Sequence, residues 1–106
     1  MDKSNRQPYR ILIVDDEPRM CQSLRELLSA QGYLAETADC GREALRRLAE
    51  HGFDLVLLDL ILPDVSGQEV LEYIHERHPG LLVIMISGFG SIEAAVAALK
   101  SGAHDY

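Results

Sequence analysis

The run Leu55-Val56-Leu57-Leu58-Asp59 constrains the fold more than any other stretch of the chain. Four apolar residues pass straight into a carboxylate, and a loop carrying Pro63 and Gly67 follows. A short apolar run without alternation suits a strand buried on both faces, the condition of a parallel sheet covered by helices. Arg10-Ile11-Leu12-Ile13-Val14 repeats the pattern and runs into Asp15-Asp16-Glu17-Pro18. Leu81 to Ile86 repeats it again and runs into Ser87-Gly88-Phe89-Gly90. At the carboxyl ends of such strands the backbone leaves the sheet, and open α/β folds bind ligands in the crevice there. The plain alternative for Asp59 is a strand-ending aspartate that caps its own turn.

Between these runs the apolar period changes to that of a helix. Pro18 fits a first helical turn, with Asp16 or Glu17 as the cap. Met20, Leu24, Leu27 and Leu28 then recur at helical spacing until Gly32. Tyr33 to Ala38 is a short strand. Arg42 to His51 forms a second helix with Ala44, Leu45, Leu48 and Ala49 inward. Ser66-Gly67-Gln68-Glu69 has the Ser-x-x-Glu form of a capping box and opens a third helix. That helix carries Val70, Leu71 and Ile74 on one face and ends at His78-Pro79-Gly80. A fourth spans about Ser91 to Ser101 with Ile92, Ala95, Val96 and Leu99 inward; Gly102 closes it, and Ala103 to Tyr106 approach one more strand. Strands alternating with helices imply βαβ units, and right-handed crossovers put helices on both faces of a parallel sheet.

A chain of 106 residues is one domain by size. Its formal net charge of −7 excludes a nucleic-acid or anionic-membrane surface, which requires concentrated Lys and Arg. The acidic balance fits binding of cations or of basic partners. No apolar run is long enough to span a bilayer. Residues 1–9 are polar and charged, so they read as a frayed lead-in and not a secretory signal. Cys21 and Cys40 match no metal spacing and read as cytosolic thiols, packing or surface, so a cytoplasmic protein is expected.

In a parallel sheet Asp15, Asp16, Asp59 and Ser87 share one edge. Three carboxylates repel one another unless a proton or a cation intervenes. Carboxylate oxygens with water and one further acceptor are what Mg²⁺ takes. A carboxylate beside Mg²⁺ can also be a nucleophile towards phosphorus, giving an acyl phosphate. Ser87 can donate a hydrogen bond to a phosphoryl oxygen.

These residues carry a resemblance. Ile-Leu-Ile-Val-Asp15-Asp16-Glu17, Leu-Leu-Asp59-Leu-Ile-Leu-Pro63-Asp-Val-Ser-Gly67, Ile-Ser87-Gly and Lys100-Ser-Gly102-Ala103-His-Asp-Tyr106 resemble, in order, the receiver domain of two-component response regulators. The resemblance spans residues 10–106. It implies a flavodoxin-like, doubly wound parallel sheet of order 2-1-3-4-5. It implies that Asp59 is the phosphoacceptor, charged by a sensor histidine kinase. Asp16, Asp59 and the backbone carbonyl of Ile61 would hold Mg²⁺, with Asp15 acting through water. Ser87 matches the switch hydroxyl and Tyr106 the switch aromatic. No enzyme activity beyond Mg²⁺-dependent self-phosphorylation is implied.

One departure accompanies it. The family continues past the Tyr position into a Lys-Pro pair and a fifth helix, whereas this sequence ends at Tyr106. The phosphoryl-contacting lysine is therefore absent, most of strand five and helix five are missing, and a truncated chain is expected. Exposed apolar surface at that edge would favour a homodimer or a domain swap. Phe89-Gly90-Ser91-Ile92-Glu93-Ala94-Ala95-Val96 resembles receivers of transcription regulators, particularly the nitrogen-regulator type that activates sigma-54 promoters. The DNA-binding output domain is not in this sequence.

Rival readings fare worse. Gly88-Phe89-Gly90 lacks the third glycine of a dinucleotide loop. A phosphatase of the haloacid dehalogenase type wants a second Asp two residues after the nucleophile, and Ile61 stands there. A pseudo-receiver acting only as a protein-binding module fits the missing lysine but not the retained acids. His51, His75, His78 and His104 fall at helix ends and faces, where capping and solvated roles are expected.

Overall fold

A computed structural model describes residues 9–86. The expected fourth helix, the approach to strand five, Ser87 and Tyr106 lie outside the described residues. The elements are β1 (Arg10–Val14), α1 (Pro18–Ala30), β2 (Leu34–Ala38), α2 (Gly41–Glu50), β3 (Leu55–Asp59), α3 (Gly67–Arg77) and β4 (Leu82–Ile86). The strands form one sheet of order β2-β1-β3-β4, and every pairing is parallel. This is the 2-1-3-4 portion of the flavodoxin-like order.

β1 and β3 lie at the centre, which is why their sequences do not alternate. Side chains of a strand still point to opposite faces in turn, so each unbroken run feeds two cores. Ile11, Ile13, Leu55, Leu57, Ile84 and Ile86 pack with Cys21, Leu24 and Leu28 of α1. Leu12, Val14, Val56, Leu58 and Val83 pack with Ala44 and Leu48 of α2 and with Val70 and Ile74 of α3. α1 therefore covers one face and α2 with α3 the other, a doubly wound arrangement.

The helix ends follow local chemistry. Glu17 caps α1 by accepting from the Arg19 N–H at 3.2 Å, with Pro18 in the first turn. Gly32 follows α1 at φ +95°, a left-handed conformation that disfavours any side chain. The Ser66 hydroxyl accepts from the Glu69 N–H at 3.2 Å, as the Ser-x-x-Glu spelling implies. His51 and His78 are the C-terminal flanking residues of α2 and α3, and His75 lies in the last turn of α3.

The structure settles which positions of α1 and α2 face inward, and Ala49, expected inward, does not. Leu27 is 38% exposed, and Cys21 takes the sheet-facing position. Residues 21, 24 and 28 lie in line along one side of a helix, and residue 27 falls about 100° off Leu28. Ala49 is exposed by the same rotation relative to Leu48. α2 begins at Gly41 and ends at Glu50, one residue ahead of the expected span at each end. β2 and β4 each begin one residue later than expected. Among the described residues, no helix is long and apolar enough to cross a membrane.

Candidate functional site

The β1–β3 register pairs Val14 with Leu58, so the next residues, Asp15 and Asp59, emerge side by side at the carboxyl edge of the sheet. Asp16 follows on the loop into α1. One carboxylate oxygen from each of Asp15, Asp16 and Asp59 lies within 4.8 Å of the other two. Asp15 and Asp59 are buried, 3% and 2% exposed, while Asp16 is exposed. The three acids named from the sequence are thus brought together.

Backbone donors orient the two buried acids. Asp15 Oδ1 accepts from the Glu17 N–H at 2.8 Å, and Asp59 Oδ1 accepts from the Ile61 N–H at 3.1 Å. The turn-capping role weighed for Asp59 is therefore real and coexists with its place in the cluster. Ile61 itself projects outward, 74% exposed.

Electrostatically the pocket is short of positive charge. Burial raises the Asp15 carboxyl above its ordinary range; the Glu17 N–H opposes this, and the charges of Asp59 and Asp16 add to it. Burial likewise raises Asp59, opposed by the Ile61 N–H and reinforced by Asp16. Among the described residues, no Lys, Arg or His forms an ion pair with any of the three. Clustered oxygen ligands with raised affinity for a proton and no cationic partner fit a hard divalent cation, of which Mg²⁺ is the common case.

Cys21 lies behind the cluster, its thiol donating to the Asp15 carbonyl at 3.1 Å. Burial and the nearby Asp15 charge push the thiol up to about 11, so it stays protonated and acts as packing. Ser87 and Tyr106, the expected switch pair, lie outside the described residues.

Two features of the loop after Asp59 were not evident from sequence alone. A Cβ on Gly67 would lie 2.3 Å from the Asp59 carbonyl oxygen, so only glycine lets α3 start this close to the strand end. Asp64 reaches across to α2 and accepts from the N–H groups of Gly41 at 2.8 Å and Arg42 at 3.1 Å. The available signal was at α2: its flanking residue, Cys40, makes no side-chain capping bond, so the helix needs an acceptor from elsewhere.

The order 2-1-3-4, with an acid cluster at the strand carboxyl ends, defines a flavodoxin-like α/β domain with a pocket suited to a cation. The family model of the response regulator receiver domain matches residues 11–106, and the chain belongs to that family, the receiver domains of two-component systems. It is 42% identical over 97 residues to the response regulator protein PilR of Pseudomonas aeruginosa. It is 44% identical over 100 residues to the nitrogen assimilation regulatory protein NtrX of Azorhizobium caulinodans. Each match covers 92% of this chain but only 22% of the relative's length. The crystal structure of response regulator TrrA of Thermotoga maritima in complex with Mg²⁺-BeF is 34% identical, with a TM-score of 0.75, covering 92% of this chain and 84% of that one.

Proposed function

We propose that this domain accepts a phosphoryl group on Asp59 from a phosphohistidine of a sensor kinase and passes the change to an output domain that regulates transcription. The observation that carries this reading is the convergence of Asp15, Asp16 and Asp59, two of them buried, at the ends of adjacent strands. In the transfer an Asp59 oxygen attacks phosphorus and the P–N bond to the imidazole breaks. The bonding pair stays on that nitrogen, and an acyl phosphate remains on Asp59. Asp59 needs no general base, because a carboxylate is already ionised at neutral pH once a cation offsets its neighbours.

Asp16, Asp59 and the Ile61 carbonyl would hold Mg²⁺, with Asp15 contacting it through water. The cation supplies charge neutralisation on the transferring phosphoryl group. The Ile61 N–H fixes the plane of the Asp59 carboxylate, so the attacking oxygen is positioned before the donor arrives. Ser87 and Tyr106 complete the reading as the hydroxyl that meets the phosphoryl oxygen and the ring that turns inward in response. Residues 10–106 form the receiver, working in the cytoplasm. A further relative, the transcriptional regulatory protein ZraR of Escherichia coli, 41% identical over 96 residues, supports a transcriptional output, and NtrX supports the nitrogen-regulator type. TrrA, which carries Mg²⁺-BeF, supports the metal and the phosphoryl site.

Incubation with acetyl phosphate and Mg²⁺, followed by intact mass, tests the reading. Uptake of one phosphoryl group, abolished by EDTA, is expected. No uptake, or uptake indifferent to EDTA, would contradict it, and a chain that takes none would act as a binding module.

A further inference from the structure

The loop from Asp59 to Gly67 carries the nucleophile at its start and the Ile61 backbone two residues on. Burial of the leading side chains does not hold it, since Leu60 and Ile61 are 49% and 74% exposed. Hydrogen bonds hold its ends: Ile61 N–H on Asp59 Oδ1 at 3.1 Å, and Gly67 N–H on the Leu60 carbonyl at 2.9 Å. In its middle Leu62 and Val65 pack partly buried against the core on the α2–α3 face, and Asp64 adds a polar tie to α2. Oδ1 accepts from the Gly41 N–H at 2.8 Å and from the Val65 N–H at 2.6 Å. Oδ2 accepts from the Arg42 N–H at 3.1 Å, with the Arg42 guanidinium 4.0 Å away.

The Gly41 and Arg42 N–H groups are orphan donors of the first turn of α2, which Cys40 leaves uncapped. A carboxylate there gains charge-assisted hydrogen bonds and a favourable position at the positive end of the helix. A second observation is independent of the carboxylate. A Cβ on Gly41 would lie 2.7 Å from Val65 Cβ and 2.8 Å from the Val65 carbonyl oxygen. α2 and the loop thus approach more closely than any side chain at position 41 permits. A Cβ at Gly67 would likewise collide with the Asp59 carbonyl oxygen, so the loop is clamped between two glycines, and Asp64 is the polar tie at its centre.

We propose that Asp64 is a positioning residue for the phosphoacceptor loop: by tying that loop to the first turn of α2 it holds Asp59 and Ile61 in the arrangement that takes Mg²⁺. The inference rests on the phosphoacceptor reading and adds a connection, because coupling between two sites is reciprocal. Mg²⁺ at Asp59 then firms the start of α2, and loss of the tie weakens Mg²⁺ binding. Residues that orient a metal's ligands typically change its affinity about 10- to 100-fold when removed.

The test is an NMR titration of the chain with Mg²⁺ alone, with amide exchange measured at Gly41 and Arg42. In the wild type, saturating Mg²⁺ slows exchange at both amides. In Asp64→Ala the half-saturating Mg²⁺ concentration rises about tenfold. Asp64→Asn, which keeps an acceptor for Gly41 and Val65 but offers a donor to Arg42, recovers part of that loss. A residue that merely caps α2 would lower the melting temperature in EDTA and leave half-saturation unchanged; that result overturns the proposal. If Asp64→Ala does not fold, the wild-type exchange decides: Mg²⁺ bound with no change at Gly41 and Arg42 overturns it equally. A wild type with no Mg²⁺ response at all would remove the phosphoacceptor site first and this proposal with it.

Discussion

Replacing Asp59 by Asn stabilises the metal-free domain, although it removes the proposed nucleophile. Asn keeps the shape of Asp and an oxygen to accept from the Ile61 N–H. What it removes is a charge buried beside another. At the 4.8 Å limit of the cluster, the repulsion between Asp15 and Asp59 is about 3.5 kcal/mol at an effective dielectric of about 20. The one pair Asp59 shares with the exposed Asp16 is screened to about 1 kcal/mol. Relaxation and partial protonation reduce the total, so a gain of about 1–3 kcal/mol is expected at pH 7 in EDTA. For a domain of this size that is a rise in Tm of roughly 5–15 °C.

The pH dependence has a definite sign. The folded Asp59 carboxyl is raised above its ordinary 3.8, so its contribution to stability is fully present below that value and is lost as pH rises through the folded pKa. The Asn variant lacks this loss. Wild type and Asp59→Asn therefore have similar stability near pH 3, and the variant pulls ahead as pH rises from about 4. Urea denaturation in EDTA across that range measures the difference. An Asn variant less stable than wild type at pH 7, or a gap that does not change with pH, would refute the reasoning.

Further outcomes follow from the same geometry. Saturating Mg²⁺ raises the wild-type Tm, by about 2.7 kcal/mol of stabilisation at 100 times Kd, and Asp16→Ala shrinks the response at the same concentration; thermal melts with and without EDTA check it. Gly67→Ala forces a Cβ into the Asp59 carbonyl, so it costs about 1–3 kcal/mol in urea denaturation and displaces the loop. Cys21, with its thiol pushed up to about 11, resists iodoacetamide in the native state and reacts once the chain is unfolded in urea, as mass spectrometry of labelled peptides will report.

The central strands were legible because burial on both faces leaves an unbroken apolar run, as in Leu55–Leu58. β2, at the edge and half-exposed, was legible as a strand but not in its first residue. Helical spacing alone did not say which side of α1 meets the sheet: Cys21, in line with Leu24 and Leu28, packs there, while Leu27 is exposed. Asp15, Asp16 and Asp59 were legible because parallel strands align their carboxyl ends, so three separate acids in sequence become one cluster in space. Asp64 was not. Its partners lie more than twenty positions earlier and are backbone N–H groups, which every residue but proline offers, so no side-chain pattern marks the contact.

The most direct test of the central claim is to locate the phosphoryl group. The domain is treated with acetyl phosphate and Mg²⁺, digested at acidic pH, and mapped by mass spectrometry with and without hydroxylamine. A single hydroxylamine-labile phosphoryl group on Asp59, absent from Asp59→Asn, is the predicted result. A label on another residue, an equal label on the Asn variant, or no label on the wild type would contradict it.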